Sequence, residues 1–358
     1  HLSCFWGPPH TIESILMGKE TLYEHAASEM GELISVLLDL SETTNEFSNP
    51  PDEIWVDDAA AQMLLGGLGY DLERLPPTDQ RKDAWLARSA FHFNIEYSVT
   101  GLLYPRLQPF IDEMIAVGFA ETDGFRDVDA EWIRDNPQLL PVMMHAAGTF
   151  SKQELKRSVG SVSDKVISRP ASERLAKLLA DVGSNMAIEP QRVSERMKST
   201  TEGIVRDLVG RLLLEEFVAD SLNKAGLTFR RESDYKRLTG VIYDFRADFV
   251  IPNERHPKAF VEVRKSSARH ASLYAKDKMF SSINWKGRHP ECLGIIITDG
   301  PWTEASLEVM SRVFDYVVPI HRSRQVAETI RRYVDGDQSV LRWLIHFRIV
   351  ANDLNDAP

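Results

Sequence analysis

The sequence predicts an α/β domain, α+β over the whole chain: a mixed central sheet flanked by helices, behind an N-terminal all-α domain. Three observations predict it. Through residue 150 the apolar residues recur at helical spacing. From about residue 239, short apolar runs alternate with helical patterns, the order that builds a sheet with parallel members and helices outside it. Leu293-Gly-Ile-Ile-Ile-Thr is a continuous apolar run, the mark of a strand buried on both faces.

Charge sets the boundaries. Residues 1–150 hold 8 Lys and Arg against 25 Asp and Glu, a net of −17 in a chain whose total is −11. The remainder therefore carries +6. This divides the chain into an acidic helical domain (1–150), a basic helical connector open to DNA contacts (151–200) and the α/β domain (201–358). Such asymmetry marks a polyanion-facing domain joined to an acidic one, or acidic helices that keep the protein soluble.

Composition excludes several classes. With 358 residues, 43% hydrophobic and 27% charged, the chain is an ordinary globular protein. Its two cysteines, Cys4 and Cys292, form no zinc spacing and no disulfide framework, so a reducing, cytoplasmic compartment is expected. No apolar run spans a bilayer, so no membrane is expected. The N-terminus lacks a signal-peptide pattern and a Met, as expected of a processed or truncated chain.

The elements follow in order. Residues 11–45 read as a helix, broken at Asn49-Pro-Pro51, and Asp58 opens a second one that Gly66-Gly67 ends. Residues 80–120 are helical again. Asp123, Asp127 and Asp129 lack the EF-hand pattern and read as a solvated turn. Ser151 with Glu154 is a capped helix start. Arg169-Pro170 separates that helix from one over 172–182, and Pro190 begins another. A long helix covers 201–226 and stops at Gly226; its apolar arc centres between Leu212 and Glu216. Strands are predicted near 239–251, at 259–265, at 293–298 and at 316–320, with helices over 268–284, from Thr303, from Ser323 and over 341–350.

Two carboxylates lie inside apolar strands: Asp248 in Arg-Ala-Asp-Phe-Val-Ile, and Glu262 in Phe-Val-Glu-Val-Arg-Lys. An unpaired buried charge is costly, so each needs an ion-pair partner or a metal. Strand alternation puts Phe260, Glu262 and Arg264 on one face and Lys265 on the other. If Asp248 shares the Glu262 face, the two can hold one Mg²⁺ with waters completing its shell. The structural alternative pairs Asp248 with Arg246 or Arg264, and Glu262 with Arg264. Glu216, central on its helix face, is either paired with an Arg or aimed at the same metal.

Asp248, a spacer and Glu262-Val-Arg264 resemble the PD-(D/E)XK nuclease superfamily, the restriction-endonuclease-like fold, over roughly residues 200–330. The resemblance implies Asp248 and Glu262 as metal-binding acids and Glu216 as the optional helix acid. The family's lysine position falls on Arg264, which stabilises charge but is no general base. Lys265, and Lys276 on the next helix, are the other candidate cations. Between 226 and 290 there are 14 Lys and Arg against 7 Asp and Glu, an excess that suits a polyanion. Arg230, Arg231, Lys236, Arg237, Lys286 and Arg288 are candidate phosphate contacts. Trp285 either stacks on a base or packs in the core. The resemblance implies a Mg²⁺-dependent endonuclease acting on double-stranded DNA, a homodimeric type II restriction enzyme. The alternatives are a repair or branched-DNA nuclease on the same fold, and a DNA-binding protein that has lost catalysis.

Overall fold

The computed structural model describes residues 19–266 and 270–346. The chain divides into two compact units, His1–Leu208 and Val209–Pro358. Residues 151–200 thus belong to the first unit instead of forming a separate connector.

The first unit contains α1 (Leu22–Thr43), α2 (Asp58–Gly67), α3 (Arg81–Arg88), α4 (Ile95–Glu121), α5 (Ala130–Asp135), α6 (Leu140–Ala146), α7 (Lys152–Val159), α8 (Arg169–Asn185) and α9 (Pro190–Leu208). Thr21 and Glu24 close a reciprocal cap on α1. Met30, Leu33, Ile34 and Leu37 then bury one side of it, and α1 and α2 pack on α4. Residues 11–18 of the expected first helix lie outside the described residues. The helix expected over 80–120 is two helices, because Asn94 starts a new one by accepting from the Tyr97 N–H at 3.0 Å. Asp129 caps α5, accepting from Glu131 and Trp132, as a turn acid would. The two helices are separate as expected, but α8 takes in Arg169-Pro170 and starts before residue 172, since proline fits the first turn. The expected connector joins this unit because α9 packs on α4 and α6, and α8 on α5.

One buried histidine supplies a stability test. His145 is fully buried, with Nε2 2.8 Å from the Thr200 hydroxyl and its carbonyl accepting from Arg196 at 2.8 Å. Burial, then the Arg196 charge, pulls its pKa down to about 4. The unfolded chain takes up this proton below about 6.5. Stability is therefore complete above that pH and falls as pH drops toward 4, by on the order of 2–3 kcal/mol. Denaturant titrations at pH 7 and pH 5 should show this loss, and His145→Gln should flatten it.

The second unit begins with a π-helical turn, Val209–Leu213, that continues as α10 (Leu214–Lys224). Gly226, at φ +67°, ends the helix in the left-handed region that glycine favours. Then come β1 (Arg230–Arg231), β2 (Phe249–Ile251), β3 (Ala259–Lys265), α11 (Ala271–Arg288), β4 (Leu293–Asp299), α12 (Glu304–Met310), β5 (Tyr316–Pro319) and α13 (Ser323–Val334). The sheet order is β1-β2-β3-β4-β5. The pairs β1–β2 and β2–β3 are antiparallel; β3–β4 and β4–β5 are parallel, joined through α11 and α12. Val250, Phe260 and Ile296 form one core with Trp285, Met310 and Phe314. Trp285 is thus a core residue, which excludes base stacking by it.

Two expected elements change. The strand over 239–251 shrinks to β2 with a single bridge, Leu238 to Phe245, because the loop between them pairs with α11. Leu341–His346 is not helical; the Arg342 and Trp343 N–H groups donate instead to Asp315. Residues 347–350 of that expected helix, and 268–269 of the one before β4, lie outside the described residues. No helix among the described residues is long and apolar enough to cross a membrane.

Candidate active site

The β2–β3 register pairs Phe249 with Val261 and Val250 with Phe260. Asp248 directly precedes β2, one position beyond this ladder on the side of Glu262. The Asp248 charge acts on the Glu262 carboxyl, so the two acids lie near each other. Backbone contacts hold Asp248 firmly. Its Oδ2 accepts from the Val263 N–H at 2.6 Å, and its carbonyl accepts from Glu232 N at 3.0 Å. The Tyr235 hydroxyl donates to the Ala247 carbonyl at 2.7 Å and accepts from the Ala247 N–H, pinning the preceding residue from both sides.

Glu262 is fully buried. Its Oε2 is ion-paired with the Lys278 ammonium, and its Oε1 has no hydrogen-bond partner. Burial, then the Asp248 charge, pushes its pKa up to about 8 against the pull of Lys278 and Arg264. Burial likewise raises Asp248, although the Val263 N–H and Lys278 oppose it. At Lys278 burial favours the neutral amine, but the Glu262 carboxylate outweighs it and holds the pKa above its ordinary value.

Lys278 is not among the residues the sequence singles out. The expected helix face holds Leu273, Lys276, Phe280 and Ile283. In α11 that face is turned mostly outward: Lys276 is exposed, and Leu273 is 63% and Phe280 44% exposed. Ala271, Ala275, Lys278, Ser281, Ser282 and Trp285 face inward. Between the buried Ala275 and Ser282 on that inner face, the lysine at 278 meets Glu262 inside the structure. The signal in the sequence is the set of small residues, Ala271, Ala275, Ser281 and Ser282, that share its face at helical spacing.

Arg264 lies on the Glu262 face with its guanidinium 4.5 Å from the centre of the Tyr274 ring, and its Nε is buried without a hydrogen-bond partner. Lys265 sits opposite Asp299 in a regular parallel register, on the other face, and no bulge re-aims it. Arg246 serves Glu232, at 3.2 Å, instead of Asp248.

The helix acids exchange places. Glu216 is bound by both terminal nitrogens of Arg231, Nη2 at 2.8 Å. Glu215 instead faces Asp248: burial, then the charges of Asp248 and Glu232, pushes it up to about 7. The π turn explains the exchange. It adds one residue to a helical turn, so everything after Leu213 is rotated relative to a helix of uniform 100° steps. In α10 the buried residues include Leu214, Phe217, Val218, Ser221 and Leu222. Glu215 borders that arc, whereas Glu216 lies well outside it.

The candidate phosphate contacts separate too. Arg230, Lys236 and Arg288 are solvent-accessible. Arg231 is engaged with Glu216, and Arg237 with Asp244 at 2.9 Å. Lys286 is excluded as a phosphate contact: it is fully buried and ion-paired with the equally buried Asp315.

Among the described residues no three His, Cys, Asp or Glu side chains gather as a complete metal-binding group. Two carboxylates with outer waters nevertheless fit Mg²⁺, which commonly takes only one or two protein carboxylates. The Glu262 Oε1 without a partner, and a carboxyl raised by burial and then by the Asp248 charge, are compatible with two hard oxygens sharing a cation. No protein-family model matches the chain, and neither a curated protein nor a solved structure does.

Proposed function

We propose that the second unit is a Mg²⁺-dependent DNA endonuclease. The observation that carries the reading is the fully buried Glu262 near Asp248 with Lys278 against it. The order of a helix, three antiparallel strands, a helix and a parallel strand supports it as well. That order agrees with the PD-(D/E)XK resemblance. Of the duties this resemblance implies, a homodimeric restriction enzyme cuts both strands of a duplex, and a repair enzyme cuts branched DNA. Lys278 weakens the binding-only reading, since it returns to Glu262 the lysine that Arg264 displaced.

Asp248 and Glu262 would hold the cation. When bound, Mg²⁺ acidifies a water and offsets charge on the phosphoryl oxygens. The chain's own groups do the rest. The Val263 N–H fixes the Asp248 carboxyl. Lys278 adds positive charge in a dry setting, where it counts for more than in water. Arg264, set against the Tyr274 ring, brings a second cation to the Glu262 side.

Incubating a phage genome with and without Mg²⁺ tests the activity, and discrete fragments would add sequence specificity. A melting experiment tests the site independently. The raised carboxyl pKa values mean that folded stability falls as pH climbs from the ordinary carboxylate range toward about 8. At pH 8 without metal, Asp248→Asn should therefore melt above the parent protein, because it removes one of the two repelling charges. Mg²⁺ should raise the melting temperature of the parent and leave that of Asp248→Asn unchanged.

A further inference from the structure

The outward face of α11 and the loop before β2 together display apolar surface that a folded chain normally buries. Ile242 is 50% exposed, Phe245 47%, Leu273 63% and Phe280 44%. The rings are ordered among themselves. Tyr243 stacks on Phe280 with centroids 5.6 Å apart, and meets Phe245 edge to face at 5.3 Å.

The loop is also clamped. The buried Asn284 amide accepts from the Ile242 N–H at 2.8 Å and donates to the Tyr243 carbonyl at 3.0 Å, and the Asn284 backbone carbonyl takes the Val241 N–H at 3.1 Å. Gly240 permits this approach, since a Cβ there would stand 2.0 Å from the Asn284 Nδ2. Two exposed rings, Phe245 and Phe280, with the half-buried Tyr243 between them and a buried amide behind, make a built surface.

Its surroundings are basic on balance: Asp277 is exposed on the same side of α11 and Asp244 is paired with Arg237 at 2.9 Å, against three further cations. Lys276 stands one helical turn from both Leu273 and Phe280. Lys236 and Arg288 flank the loop and the end of α11. All three are solvent-accessible and have no ion-pair partner among the described residues. The surface shares α11 with the carboxylate centre but lies on its other side: Phe280 follows Lys278 by two residues, about 200° around the helix, and is exposed where Lys278 is buried.

We propose that Tyr243, Phe245, Leu273 and Phe280 form a stacking platform for unpaired bases of a DNA strand, whose phosphates meet Lys236, Lys276 and Arg288. The proposal rests on the nuclease reading and names its substrate class: DNA with an unpaired stretch. Flat exposed rings take any nucleobase, and cations spaced around them track a backbone; paired bases offer no free face to such a surface. A helix-reading protein would instead present polar side chains to base edges.

The test is fluorescence anisotropy with the full chain and Ca²⁺ in place of Mg²⁺, comparing a labelled oligothymidylate with a blunt duplex of equal length. The single strand should bind at least about tenfold more tightly, and Phe280→Ala and Tyr243→Ala should each lose about tenfold on it while duplex binding holds. Circular dichroism melting of both variants checks that the fold survives, and Lys276→Gln gives a second variant that packs nothing. Its effect should shrink as salt rises. Equal binding of duplex and single strand, or variants that bind the oligothymidylate as the parent does, would overturn the platform. So would a dimer in sedimentation that Phe280→Ala dissociates, because a second copy would then cover the surface. Mg²⁺-dependent cleavage of duplex persisting beside those results leaves the nuclease reading standing. Strong oligothymidylate binding with no cleavage of any DNA sinks that reading instead.

Discussion

Asp248→Asn and Glu262→Gln are each expected to reduce Mg²⁺-dependent cleavage by about a thousandfold or more, with the fold retained. Both are isosteric, so packing survives. In Asp248→Asn the new amide oxygen still accepts from the Val263 N–H, and in Glu262→Gln the new side chain still fills the space beside Lys278. Each substitution removes one anionic oxygen donor of two, and a neutral amide is a poor partner for Mg²⁺. Lys278→Met should behave differently. It leaves both carboxylates able to bind metal but strips away the charge at Glu262 Oε2. Metal-induced stabilisation should then persist while cleavage drops by about a hundredfold. Gel assays of a defined substrate across a Mg²⁺ series separate the cases. Cleavage by Glu262→Gln at the parent rate would remove the proposed centre.

The second large effect concerns stability. Lys286 and Asp315 form a fully buried ion pair. Asp315 does more than neutralise a charge. Its Oδ2 also accepts from Gly294 N at 2.7 Å, and its Oδ1 from Arg342 and Trp343 N, each at 2.8 Å. One carboxylate thus ties α11, the start of β4 and the segment after α13. Asp315→Ala strands an ammonium and three backbone N–H groups, and should cost about 3–5 kcal/mol. Lys286→Met leaves the carboxylate with three donors and should cost distinctly less. Urea titrations followed by circular dichroism should show that order. Equal losses would mean that the pair, and not the backbone anchoring, dominates.

The sheet is legible in the sequence where burial is uniform. β3 and β4 are apolar runs in which a carboxylate stands out, so Glu262 is conspicuous, and alternation alone puts Lys265 on the other face. Asp248 joins it because the two strands that carry these acids sit close in sequence. Helix α11 defeats the same reading for the opposite reason. Lys278, Asn284 and Lys286 are polar yet buried, each for a specific partner, while Leu273 and Phe280 are apolar yet exposed. A rule that places apolar residues inside turns such a helix about its axis. Lys286 fails as a phosphate contact because its partner, Asp315, lies 29 residues away in sequence, and no local pattern announces the pair. The exchange of Glu215 for Glu216 is equally hidden, since a period of 3.6 assumes an unbroken α-helix.

The π turn also makes the second unit tolerant of a change in chain length at one spot. The turn holds one residue more than an α-helical turn, so removing a single residue between Val209 and Leu213 would let a plain α-helix run through and leave α10 facing as it does now. Glu215 would keep its place near Asp248, and Leu214 and Phe217 their seats in the core. The same deletion inside α10, which has no surplus residue, would swing every later side chain of that helix by about 100°. A library of one-codon deletions, sorted for folded protein, should retain those in the turn and lose those in α10.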